Sequence, residues 1–321
     1  MIMPRVKVLF IAALAVLVSP ALFALDLPQN PTPASPAVPG TLNYIEGATT
    51  INGQFLAPNA IGSVTLQPGQ EISTSTGRAE VLLTPGVFFR LDHNSSAKMV
   101  SPDLTNTVMR LDHGRASVEV DQLFKENDIH VVENNVPVQL LKPGLYEFDA
   151  DHGTVMVFSG EAAAQRSNGK WVVMKDHHEL NVAEGAAPKT VSFNEDAQKQ
   201  TDLYRWSSLR SDYLAEANYQ IAGDYAGGAY APGWYWDPYM FDYTFLGPWG
   251  FYSPFGWGFY PLGWGYGGFY GGRGRGFGPH GVGGFHGDSY RAGGSMGGFH
   301  GGGFGGGGFH GGGGFGGGHG R

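Results

Sequence analysis

Four Asp-His dipeptides recur between residues 92 and 177: Asp92-His93, Asp112-His113, Asp151-His152 and Asp176-His177. Paired this way, a carboxylate and an imidazole can relay a proton or share a metal. Neighbours on a strand point to opposite faces, however, which separates the two groups. Asn or Gly follows three of the four pairs directly, and these residue types build tight turns. The pairs are therefore expected in turns between strands.

Other candidate chemistry weakens on spacing. Asp149-Ala150-Asp151 begins like a calcium loop, but the sixth position is Thr154 where glycine is required and the twelfth is Gly160 where a glutamate is required. His177-His178-Glu179 lacks the second histidine of a zinc-protease helix. The chain has no cysteine, so it has neither a thiol nucleophile nor a disulfide. His286, His300 and His310 suit zinc, copper or nickel, yet gathering them from a glycine-rich chain costs loop and backbone entropy. They are weak candidates, and the expectation is no defined metal site, no cofactor and no enzyme. A glycan-active enzyme stays open only if two carboxylates share one cleft.

The residues best suited to binding are rings. Five of the seven tryptophans fall between 225 and 270, where Trp234, Tyr235, Trp236, Tyr239, Trp249 and Trp257 form the candidate surface. Such side chains stack on sugars or sit at a membrane interface, and they equally pack into their own fold.

Positioning these groups falls to a chain of distinct textures. Residues 1–24 have a basic start, an apolar run over 8–18 and small residues at the end, the layout of a signal peptide cleaved after Ala21 or Ala24. No transmembrane helix is expected after cleavage, which places the protein outside the cytoplasm: periplasm, outer-membrane periphery or cell surface. Residues 25–40 read as a Pro-rich linker. From 41 to 191, short β-branched and aromatic runs alternate with Gly, Pro, Asn and Asp, predicting an antiparallel β sandwich or roll. Asn52-Gly53 marks a hairpin. In Ala116–Val120 and Tyr146–Asp149 apolar and polar residues alternate, which predicts one strand face in the core and the other in water.

Residues 192–223 switch to helical period. Ser192-Phe193-Asn194-Glu195 fits a capping box, and Leu203, Trp206, Leu209, Tyr213 and Ala217 mark one amphipathic stripe. An irregular aromatic Gly/Pro segment over 224–270 and a disordered Gly-rich tail over 271–321 complete the expected order. The whole chain carries a net charge of −8, and the cationic residues of its two ends make the middle more acidic still. An acidic domain repels nucleic acid, so the expected partner is a cell-envelope protein or glycan, with contact to a membrane surface left open.

The β region resembles the FecR-type extracytoplasmic domain. The resemblance is carried by GTLNYIEG (40–47), LQPGQEISTSTGRAEVLLTPGVFFRL (66–91), MRLDHGRASVEV (109–120), LLKPGLYEFDADHGTVMVFSGEAAAQ (140–165) and HELNV (178–182). It implies an all-β fold and a binding or scaffold role in the bacterial envelope. A sensory role through a separate membrane partner is the alternative. Signalling members carry a cytoplasmic helical domain and a membrane helix ahead of the β domain, and Lys142-Pro143-Gly144 replaces the family's usual Arg-Gly-Thr. The closer likeness is to stand-alone secreted members.

Overall fold

The computed structural model describes residues 36–183, 185–187, 189–224, 231–248 and 250–259. The signal and most of the linker, Trp249 and the tail with His286, His300 and His310 lie outside the described residues.

The protein is mainly β, a sandwich of two sheets. In spatial order the first sheet runs Leu42–Glu46, Arg78–Leu82, Val87–Leu91, Arg115–Val120, Gly144–Asp149, Thr154–Ser159, His178–Asn181 and Thr190–Ser192. The second runs Trp171–Lys175, Glu161–Gln165, Val136–Leu140, Ile129–Glu133, Asn106–His113, Ser96–Asp103, Glu71–Thr74, Thr49–Ile51 and Gln54–Phe55. All pairings are antiparallel except one. Ile129–Glu133 lies parallel to Asn106–His113, because the chain crosses to the first sheet through Arg115–Val120 and returns. Alternation reveals a strand's faces and not its neighbour's direction, so this pair was not expected.

The inward residues are the apolar half of each alternating strand. Val81, Phe89, Leu91, Val118, Tyr146 and Phe148 face Ile72, Met99, Met109, Val131 and Val138, all fully buried. Each such side chain contributes about 1.5–3 kcal/mol on leaving water, which makes this the dominant stabilising term. Asn52 and Gly53 both take positive φ, 48° and 79°, as the two-residue hairpin turn between Thr49–Ile51 and Gln54–Phe55 requires.

Three of the Asp-His pairs sit in turns; Asp112-His113 instead ends the strand Asn106–His113. His93 does reach Asp92 at 2.9 Å, because a turn lifts the opposite-face restriction of a strand. The other three find acids outside their own dipeptides: His113 pairs with Asp151, His152 with Asp149 and His177 with Glu195.

Two expectations are corrected after residue 190. Ser192 closes a strand, and the cap belongs to Asn194, whose Oδ1 accepts from Ala197 N at 3.1 Å to start the short helix α1 (Glu195–Gln198). The long helix α2 (Asp202–Asp224) begins separately beyond Thr201, whose Oγ1 accepts from Tyr204 N. Its buried face is also rotated from the apolar stripe. Leu203, Ser207, Arg210, Ser211, Leu214, Ala217, Asn218 and Ile221 are buried, whereas Leu209 and Tyr213 are exposed. Steps of three and four connect the buried set, but four of its members are polar.

That helix lies on the outer face of the first sheet. The alternating polar residues there were expected in water, yet Glu80, Arg90, Ser117, Glu119 and Glu147 are buried. No helix among the described residues is long and apolar enough to cross a membrane.

Candidate functional site

The aromatic segment forms a two-stranded hairpin, Gly233–Asp237 against Asp242–Leu246, rather than irregular turns. Direct cross-strand pairs share a face. Trp234 opposite Phe245 and Trp236 opposite Tyr243 therefore make one four-ring surface. It packs inward. Trp234 meets Phe88 and Phe245 edge-on at 5.2 and 5.7 Å, and Leu82 and Leu214 complete the cluster. Trp236 meets Tyr243 at 5.1 Å and lies so close over Gly62 that a Cβ there would come within 2.6 Å of the ring. Gly62 has a φ of 71°, a second reason for glycine at that position.

The remaining candidate rings divide. Trp257 donates its indole N–H to Ser208 O on α2 at 3.1 Å, and the Tyr235 hydroxyl donates to Ala231 O at 2.6 Å. Tyr239 points into solvent, 76 % exposed, followed by Met240 at 41 % and Phe241 at 37 %. The structure brings Trp234 and Trp236 together inside the fold and leaves Tyr239 at the hairpin tip.

The tip is held by two acids. Asp237 and Asp242 face each other across the hairpin and both are buried. Asp237 accepts Tyr239 N on Oδ1 at 2.8 Å and Phe241 N on its main-chain oxygen at 2.9 Å. Phe241 takes a φ of 56°, a conformation bulky residues rarely adopt. Three consecutive apolar side chains thus protrude on a fixed loop.

Asp242 anchors this loop through a chain of charges. Arg210 Nη2 donates to Asp242 Oδ2 and to Glu80 Oε1, each at 2.9 Å. Arg90 Nε donates to Glu80 Oε2 at 2.6 Å, and Arg90 Nη1 to Glu119 Oε2 at 2.5 Å. The hydroxyls of Ser211 and Ser253 lie against the other Glu119 oxygen. Asn43 Nδ2 donates to Glu80 Oε1 and to Tyr243 O, while Asn43 Oδ1 accepts from Tyr243 N, so an amide side chain substitutes for a strand neighbour.

Burial would raise the Glu80 carboxyl, but Arg210 and Arg90 outweigh it and hold the group down at about 2. Burial wins at Asp242, lifting it to about 6 despite Arg210, and keeps Asp121 beside Glu119 well above the usual carboxylate range. The network is closed to solvent. Its ions clamp the sheet, α2 and the hairpin together and are not placed to act on a substrate.

Sequence reasoning missed Glu80, Arg90, Glu119, Arg210 and Asp242. The available signal was opposite charges at alternating positions of successive strands, together with an arginine on the helical face that runs from Leu203 to Ile221.

Two of the cavities among the described residues lie elsewhere. The smaller, about 270 Å³, is lined by Arg115, Asp149, His152 and Glu179 among others. Asp149 there is bound by His152, and Arg115 pairs with the buried Glu147, which burial raises to about 7 against that cation. Its volume falls below the roughly 300–1,000 Å³ of small-molecule sites. The larger, about 650 Å³, opens at one end of the sandwich. Among the described residues no group of three or more His, Asp or Glu side chains is arranged to hold a metal.

No family model matches the chain, and no curated protein matches it. Among solved structures it is similar to two crystal structures of a "putative anti-sigma factor" from Parabacteroides distasonis, at 20 % and 19 % identity and a TM-score of 0.33 for each. The match covers 40 % of this chain and 61 % of those chains. A likeness of that size carries no argument about function.

Proposed function

We propose that the protein is a non-enzymatic interaction module of the bacterial cell envelope, FecR-like in its β sandwich, that engages a cell-envelope protein through the hairpin tip. The observation that carries this reading is the tip itself: Tyr239, Met240 and Phe241 exposed in a row on a loop fixed by buried Asp237 and Asp242. Large apolar side chains presented without freedom to lose are what interface hot spots are made of. The acidic balance of the chain opposes anionic lipid headgroups, which favours a protein partner over a membrane. An extracytoplasmic location is part of the proposal and rests on the N-terminal sequence.

A photo-crosslinking phenylalanine analogue at residue 239, compared with one at Phe55, tests it in cells. Phe55 is 79 % exposed on an edge strand of the second sheet and is not part of the hairpin. The expected result is a discrete protein adduct from position 239 that is absent from position 55. Met240→Asp should weaken recovery of the adduct partner by about tenfold or more, as a hot-spot loss would. No adduct, or the same adducts from both positions, contradicts the reading. The identity of the adduct separates a scaffold from a sensory role.

A further inference from the structure

The two sheets of the sandwich end in four edge strands, and three of them are blunted. Gln54–Phe55 has two residues and Thr190–Ser192 three, too short to template a neighbour. Leu42–Glu46 carries a register shift against Arg78–Leu82, and its Asn43 side chain already binds the main chain of Tyr243. The fourth edge, Trp171–Lys175, differs from these. It has five residues, keeps an unbroken register with Glu161–Gln165, and pairs with no strand on its other side among the described residues. Neither a proline nor a bulge interrupts it. A regular strand in that position offers a row of N–H and C=O groups to another strand.

Its side chains say which strand that is. Trp171 and Val173 are 44 % and 45 % exposed on the outer face of the sheet, while Met174 is buried on the inner one. The stretch from Lys170 to Asp176 reads KWVVMKD, with Lys170, Lys175 and Asp176 also exposed. This sequence complements itself. Antiparallel pairing centred on Val173 sets Lys170 opposite Asp176 of a second copy, Trp171 opposite Lys175, and Val172 opposite Met174. A two-fold axis makes each of these pairs occur twice. Opposite charges across a strand pair stabilise it, and an ammonium over an indole face adds a cation–π contact. A slip of one residue that aligns Lys170 with Lys175 sets like charges together and matches outer side chains with inner ones, so the lysines select the register. The stretch has two lysines against one acid in a chain of net charge −8, which eases the approach of two copies.

We propose that two copies of the protein pair through this edge, antiparallel about a two-fold axis at Val173, so that the second sheet continues from one copy into the other. The edge is separate from the hairpin tip and does not depend on the reading given to it.

Sedimentation equilibrium of the full chain over a range of concentrations is the test. A reversible monomer–dimer equilibrium is expected. Val173→Lys, at an exposed position, sets two like charges against each other on the axis and should raise the dimer dissociation constant at least about tenfold without changing the circular-dichroism spectrum. Lys170→Asp should weaken the dimer as well, by facing Asp176 of the second copy with an acid. The chain has no cysteine, so Val173→Cys adds a single thiol that lies opposite its own counterpart. Mild oxidation with copper phenanthroline should link the two copies covalently, and Phe55→Cys, on the other edge of the same sheet, should link poorly under the same conditions. A monomer at every concentration, a dimer indifferent to Val173→Lys and Lys170→Asp, or equal linking from positions 173 and 55 overturns the proposal.

Discussion

The two sheets of the sandwich carry outer faces of similar composition and opposite fate. On the first, Glu80, Arg90, Glu119 and Glu147 lie under α2 and the C-terminal hairpins, with Arg90, Glu80 and Glu119 side chains at 0 % exposure. On the second, Arg110 pairs with Asp112 in partial contact with water, at 39 % and 28 % exposure. Cover, and not residue type, decides what a charge costs. Out of water an ion must find a partner of opposite sign at hydrogen-bonding distance, and the first face supplies one for each arginine. That requirement makes the covered face specific: only a helix bringing Arg210 and a hairpin bringing Asp242 satisfy it.

Matched substitutions break the comparison most sharply. Arg90→Met leaves Glu119 without its cation and should destabilise the protein by about 3–5 kcal/mol, measured by urea unfolding at pH 7. A loss under about 1 kcal/mol would mean the covered network is not what seats α2. Arg110→Met, on the bare face, should change stability by no more than about 0.5 kcal/mol, as exposed pairs do.

Between these extremes stands a carboxyl inside the sandwich. Glu133 points inward from the end of its strand and is fully buried; burial, with Asp149 nearby, pushes it up to about 8. Its folded value exceeds its unfolded value, so its contribution is fully present below about pH 4.5 and is lost as pH rises toward 8. Glu147 and Asp242, raised to about 7 and about 6, act in the same direction. Glu80 acts in the opposite one: held at about 2, its contribution is present above about pH 4.5 and lost as pH falls through 2. Glu133→Gln should therefore raise Tm at pH 9 by about 4–8 °C, the equivalent of about 2 kcal/mol, and leave Tm at pH 5 nearly unchanged. An equal shift at both pH values would show that the carboxyl does not titrate as placed.

Much of the β sandwich is legible in the sequence because alternation and turn chemistry are local. Asn52-Gly53 and the strand from Ala116 to Val120 announce themselves from neighbouring residues alone. What alternation cannot say is which medium the polar side meets. Glu119 and Glu147 read as solvent-facing because the residues that cover them are remote: Glu119 meets Ser253 across 134 positions, and Glu80 meets Arg210 across 130. The helix was misaligned for the same reason. Leu209 and the ring of Tyr213 carry more apolar surface than Arg210 and Ser211, yet the latter two are buried, since the surface beneath α2 is itself charged. In the hairpin, the parity that turns Trp234 and Trp236 inward was hidden by their even mixture with Tyr235, and the exposed trio at the tip depends on Phe241 entering a left-handed conformation that its residue type does not suggest.

The central claim is that α2 and the aromatic hairpin are seated on the first sheet by charge pairing, which fixes the tip that meets a partner. A double-mutant cycle between Glu80 on the sheet and Arg210 on α2, using Glu80→Gln, Arg210→Met and the pair, tests this directly by urea unfolding at pH 7. A coupling energy of about 2 kcal/mol is predicted, because Arg210 and Glu80 touch directly in a site closed to solvent and either single change already removes that contact. Additivity within about 0.5 kcal/mol would contradict it.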